Sequence, residues 1–113
     1  MAVDLFAGIP VSVCPRALEW YERLLGAPPA FLPNDTEAVW ELAEHRCLFI
    51  EHRPGRAGGA LHTVFVGGFD ERVAAVAARG LEPDQRETYA NGVRKAVYRD
   101  PDGNEVSFGG APV

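Results

Sequence analysis

Two consecutive stretches of the chain follow the same order of elements, and this internal repetition restricts the fold more than any other feature. Leu5–Val13 is short, apolar and β-branched, which predicts a strand. Pro15 then opens a helix, because a first turn has no use for the N–H that proline lacks. Ala17, Leu18, Tyr21, Leu24 and Leu25 recur at helical spacing, and Gly26 stands where a helix terminator is expected. Three short strands follow, around Ala30–Leu32, Ala38–Ala43 and Arg46–His52, separated by the polar clusters Pro33-Asn34-Asp35 and Glu44-His45. Downstream the order recurs. Leu61–Val66 predicts a strand, and Asp70 is a candidate cap for a helix running to Arg79 and stopped by Gly80. Leu81–Thr88, Val93–Arg99 and Asn104–Gly109 are three more strands. Asn91-Gly92 predicts a type I′ hairpin, and Asp100-Pro101-Asp102-Gly103-Asn104 a second tight turn. The glycine- and proline-rich segment 53–60 divides the halves, giving one domain of two βαβββ modules, about 3–53 and 60–110. A single ferredoxin-like sheet is the alternative, but eight short strands are too many for it.

Composition narrows the function classes. The chain has 113 residues, enough for one core, and its 24% charged residues carry a net charge of −5 with the basic residues scattered. That pattern offers no footprint for nucleic acid and mildly disfavours anionic partners. No apolar run reaches membrane-spanning length, and Met1-Ala2-Val3-Asp4 lacks the basic and apolar parts of a signal peptide, so a cytoplasmic protein is expected. Cys14 and Cys47 lie in no reactive motif and read as buried thiols.

Several segments then point to a known family. Pro15-Arg16-Ala17-Leu18-Glu19-Trp20-Tyr21-Glu22-Arg23-Leu24-Leu25-Gly26 resembles the first-helix signature of the vicinal oxygen chelate superfamily, the glyoxalase/bleomycin resistance protein/dioxygenase group. His62-Thr63-Val64-Phe65 resembles the start of its second module, and Asn91-Gly92-Val93-Arg94 followed by Asp100-Pro101-Asp102-Gly103-Asn104 resembles its last hairpin. The resemblance implies an α+β fold in which two βαβββ modules form a curled mixed sheet around a cavity, and usually a homodimer. It also implies, in metal-dependent members, one ligand on the first and one on the last strand of each module. Those positions fall on Phe6, on Phe49 or Glu51, on His62 and on Ser107. Phenylalanine cannot ligate and serine ligates poorly, so no metal or other cofactor is expected.

The remaining candidates suggest a binding pocket. Phe6, Trp40 and Phe49 are expected to line the cavity, with Glu51, His62, Glu105 and Ser107 as its polar groups. His62 and Glu51 are the candidates for a base and its orienting partner. Ser107 lacks the motif of a serine nucleophile. Among Arg94, Lys95 and Arg99, one could steady an anionic group, although charges on a strand usually face solvent. His45 and His52 belong to turns. Two function classes follow. One is a metal-free protein that binds a small molecule and sequesters an aromatic natural product or antibiotic. The alternative is a lyase, isomerase or dioxygenase that needs a divalent metal.

Overall fold

The computed structural model describes residues 3–113. The first module is β1 (Leu5–Val11), α1 (Cys14–Leu25), β2 (Phe31–Asn34), β3 (Glu37–Ala43) and β4 (Arg46–His52). A 3-10 turn at Pro54–Arg56 leads to the second module: β5 (Leu61–Phe65), α2 (Phe69–Ala78), β6 (Gln85–Thr88), β7 (Arg94–Arg99) and β8 (Glu105–Gly110). The strand orders are β1-β4-β3-β2 and β5-β8-β7-β6. In each sheet the first strand runs parallel to the last and the other pairs are antiparallel. A parallel pair needs a long crossover, and each helix lies on that crossover. The result is an α+β fold of two mixed sheets and two helices. The sheets remain separate and do not close around a cavity.

Local chemistry explains most boundaries. Pro15 sits in the first turn of α1, and Gly26 ends the helix at φ 80°, donating its N–H to the Glu22 carbonyl. Five expectations need correction. β6 begins at Gln85 and not Leu81, because Pro83 cannot donate to a strand ladder. β1 stops at Val11 and not Val13, because Ser12 and Val13 turn into the helix. β2 runs through Pro33, which an outer strand tolerates because its free edge needs no donor. Asp70 is not the cap of α2; Gly68 occupies that position, and Asp70 lies in the first turn paired with Arg94 at 2.8 Å. The Asn91-Gly92 turn is not type I′, since only Gly92 has positive φ (88°). Gly92 donates to the Tyr89 carbonyl and Tyr89 to that of Val93, the pattern of a type I turn closed by a glycine bulge.

Alternation along the strands builds one core shared by both modules. Ile9 and Val11 of β1, Ala38 and Trp40 of β3 and Leu48 and Ile50 of β4 face Ala17, Tyr21 and Leu24 of α1. Ala96, Tyr98, Val106 and Phe108 of the second sheet join the same core with Phe69, Val73 and Val76 of α2. Arg79, just past α2, donates to the carbonyls of Arg23 (2.5 Å) and Leu24 (3.2 Å), satisfying the open end of α1.

The Asp100–Asn104 turn is the polar centre of this assembly. Asp100 and Asn104 are almost fully buried. Asp100 accepts from the Tyr21 hydroxyl (2.8 Å), the Asn104 side-chain amide (2.9 Å) and the backbone N–H groups of Asp102 and Asn104 (2.9 and 3.0 Å). Asn104 in turn donates to the Pro10 carbonyl (2.8 Å) and accepts from the N–H groups of Gly58 and Ala60 (3.1 and 2.9 Å). Asp102 accepts from the backbone N–H (2.9 Å) and the hydroxyl of Ser12, with Arg16 at 3.7 Å. One hairpin turn of the second module thereby binds β1, α1 and the linker.

Burial, and then the charge and hydrogen bond of Asp100, hold the Tyr21 phenol far above its ordinary pKa. The folded state therefore keeps a proton that the unfolded chain releases above a pH of about 10, so stability falls as pH rises past that value. Replacing Asn104 with alanine strands buried backbone groups and should cost about 2–4 kcal/mol. Tyr21→Phe, which removes one hydrogen bond to a buried carboxylate, should cost about 1.5–3 kcal/mol. Urea unfolding at neutral pH, compared with the unchanged chain, measures both.

Candidate functional site

The register of the strands decides which side chains face away from the core. In β1 and β4 that open face carries Phe6, Gly8 and Pro10 beside Cys47, Phe49 and Glu51. In β5 and β8 it carries Leu61, Thr63 and Phe65 beside Glu105, Ser107 and Gly109. Lys95 and Arg99 of β7 share this side, whereas Arg94 lies on the core side over the Phe69 ring (4.7 Å).

Glycines permit close approach of aromatic rings on these faces. A Cβ on Gly8 would lie 2.7 Å from Cζ of Phe49, so the ring rests directly on the β1 backbone. A Cβ on Gly109 would lie 3.2 Å from the Phe65 ring. Phe49 and Glu51 line a hollow of about 250 Å³ with Gly8, Pro10, Arg53 and Arg56. Arg53 and Arg56 belong to the segment expected as a linker, yet the 3-10 turn brings them to this hollow beside β1. The carboxylate of Glu51 is engaged by the Arg53 guanidinium.

The structure separates the expected site residues into three groups. Phe6, Phe49 and Glu51 share the open face of the first sheet. Glu105 and Ser107 share that of the second, with Glu105 3.6 Å from Arg99 and Ser107 fully buried between Thr63 and Val97. The Ser107 hydroxyl has no hydrogen-bond partner among the described residues. Trp40 and His62 are not on either open face, which corrects their expected place in the cavity wall. Trp40 pairs with Leu48 on the core side, and its indole N–H donates to the Ala27 carbonyl (2.9 Å). His62 pairs with Val106 on the core side, and its Nε2 bonds the Gly8 carbonyl (2.9 Å), linking the two modules.

The same register corrects the correspondence between modules. Ile9 and Val11 have core-facing counterparts in Val64 and Val66, so Phe6 corresponds to Leu61 and not to His62. Ser107, opposite Thr63, corresponds to Phe49, opposite Gly8. Glu51 and His62 therefore lie on opposite faces of their respective sheets and do not form the base–orienter pair that their residue types suggested. Among the described residues, no three His, Cys, Asp or Glu side chains are grouped to hold a metal ion. The first-strand positions are apolar, the last-strand positions are Phe49 and Ser107, and Glu51 is already paired. This donor set does not fit a divalent metal.

Half of the aligned residues are identical to those of a glyoxalase/bleomycin resistance protein from Catenulispora acidiphila DSM 44928, whose crystal structure superimposes with TM-score 0.95 over 98% of this chain and 100% of that one. The chain belongs to the glyoxalase/bleomycin resistance protein family. More distant proteins share the fold. A bleomycin-binding protein complexed with bleomycin matches at 16% identity and TM-score 0.79, covering 97% of this chain and 99% of that one. A lactoylglutathione lyase from Agrobacterium tumefaciens matches at 16% identity and TM-score 0.77, covering 98% and 95%. At those identities the likeness concerns the fold. No protein-family model and no curated protein sequence matches the chain.

The contact between Phe49 and Gly8 provides a direct test of the wall. Gly8→Ala should destabilise this family member by about 1–2 kcal/mol through overpacking. Most of that loss should vanish in a Phe49→Leu background, as read from a double-mutant cycle of denaturant midpoints.

Proposed function

We propose that this protein is a metal-free small-molecule-binding protein that works as a homodimer, sequestering an aromatic natural product or antibiotic in a cavity between subunits. The observation that carries this reading is the apolar character of the two open faces. Phe6, Leu61 and Phe65 are 51%, 69% and 64% exposed in the single chain. Contiguous apolar surface of this kind marks an interface or a binding groove. A second copy that set the open face of its second module against the first module's would cover these side chains. It would also leave a hollow walled by Phe6, Phe49 and Leu61. Aromatic walls with a few polar groups suit a flat organic ligand. Glu105 with Arg99 supplies charge at the edge.

Binding of bleomycin by a structural neighbour supports the class of function without naming this protein's ligand. The donor set argues against the metal-dependent lyase, isomerase or dioxygenase reading. No helix among the described residues is long and apolar enough to cross a membrane, and the proposed partner is a small molecule rather than nucleic acid or lipid.

Light scattering on the purified protein should give twice the chain mass. Phe65→Glu combined with Leu61→Glu should give a folded monomer that no longer binds. Titration with bleomycin and a panel of flat aromatic natural products, followed by calorimetry, should find saturable binding that Phe49→Ala weakens about ten-fold. Stoichiometric zinc, nickel, manganese or iron by elemental analysis, or a monomer with unchanged binding, would overturn the proposal.

A further inference from the structure

A cleft of about 570 Å³ opens between the modules, chiefly on the core side of the sheets, with Phe65 of the second open face at its rim. Its inner walls are the core residues Trp40 and Phe108, continued by Val64 and Leu42. Trp40 and Phe108 are almost fully buried, so the apolar surface open to a ligand is that of Leu42 and Phe65. A second hollow of about 430 Å³ shares Leu42, Arg46, Val64 and Phe65 with it and extends the space past His62 toward β1. The volume lies in the range of small-molecule sites.

The charges on this cleft are uneven. Arg46 and Arg72 both line it, against one carboxylate, Glu41. Among the described residues, neither arginine has a carboxylate partner; the ion-paired arginines are Arg16, Arg23, Arg53, Arg86, Arg94 and Arg99. The Arg72 guanidinium sits 5.4 Å from the centre of the Phe108 ring, which places a cation next to the apolar wall. A guanidinium is a fork of donors with no acceptor, matched to carboxylate, sulfonate or phosphate oxygens. The net charge of −5 repels anions from the molecule as a whole, so an anion is favoured where local positive charge prevails.

We propose that this intermodule cleft is a second ligand site that takes an aromatic monoanion with its ring system against Leu42, Val64 and Phe65 and its acid group on Arg46 and Arg72. All of its lining residues belong to one chain. Anilinonaphthalene sulfonate is a suitable probe, being a flat apolar molecule with one acidic group, and its fluorescence rises in apolar surroundings. It should bind the native protein saturably at one molecule per chain and quench tryptophan emission. Arg46→Ala and Arg72→Ala should each weaken it about five-fold, with Arg72→Lys intermediate. Ala27→Trp, at the exposed mouth of the cleft, should block it while thermal melting shows the fold intact. Phe6→Ala and Phe49→Ala should leave the affinity unchanged, which separates this site from the proposed intersubunit cavity. Equal binding of the uncharged phenylnaphthylamine, indifference to both arginine substitutions, sensitivity to Phe6→Ala or Phe49→Ala, or no saturable binding would each overturn the proposal.

Discussion

The buried Asp100–Asn104 turn is the constraint on which the rest of the structure depends. A carboxylate and an amide removed from water must have all their partners supplied by the protein, and here the partners come from β1, α1 and the linker. Satisfying them fixes where the second sheet lies relative to the first. The apolar core between the modules is permissive by comparison, since apolar contacts tolerate small shifts that hydrogen bonds do not. Arg79 on the end of α1 and His62 on Gly8 add two further polar ties across the same boundary. Together they define an arrangement in which the sheets share a core without sharing a hydrogen-bonded edge.

That arrangement leaves both open faces uncovered, and their chemistry is apolar with isolated charges. Where a metal-binding relative needs imidazole and carboxylate, this chain has Phe6, Phe49, Leu61 and Ser107. The glycines beneath Phe49 and Phe65 show that these rings are built into the backbone and are not incidental surface residues. The exposed side chains of these faces are thus chiefly apolar.

Much of this was legible in the residues, because the repetition and the alternation report directly on the backbone period. The order of elements, the helix stop at Gly26 and the core faces of β1 and β4 all follow from Pro15, Gly26 and the spacing of Ile9, Val11, Leu48 and Ile50. The faces of Trp40 and His62 do not follow from the resemblance of the segments that hold them. For His62 the signal was present: Val64 and Val66 are the apolar members of its strand, and they share its parity. Taking Phe6 and His62 as equivalent first-strand positions puts a one-residue slip between the modules, and such a slip moves every side chain to the other face. For Trp40 the deciding fact is its register opposite Leu48, a nonlocal pairing that depends on where the turn at Glu44-His45 closes. The roles of Asp100 and Asn104 were hidden for a related reason. Their residue types are those of any tight turn, and only tertiary burial distinguishes a turn that ends a hairpin from one that holds two modules together.

The tie between Asn104 and Pro10 joins residues 94 positions apart, and that between Asp102 and Ser12 joins residues 90 apart. A growing chain emerges in order, so the first module leaves the ribosome while the groups that complete its polar contacts are still to be made. Until residues 100–104 follow, the carbonyl of Pro10 and the hydroxyl of Tyr21 have only water to bond, and the core side of the first sheet lacks its second layer. Final assembly is therefore a late event in synthesis, and a nascent first module presents an apolar surface that chaperones, or another copy's second module, can meet first.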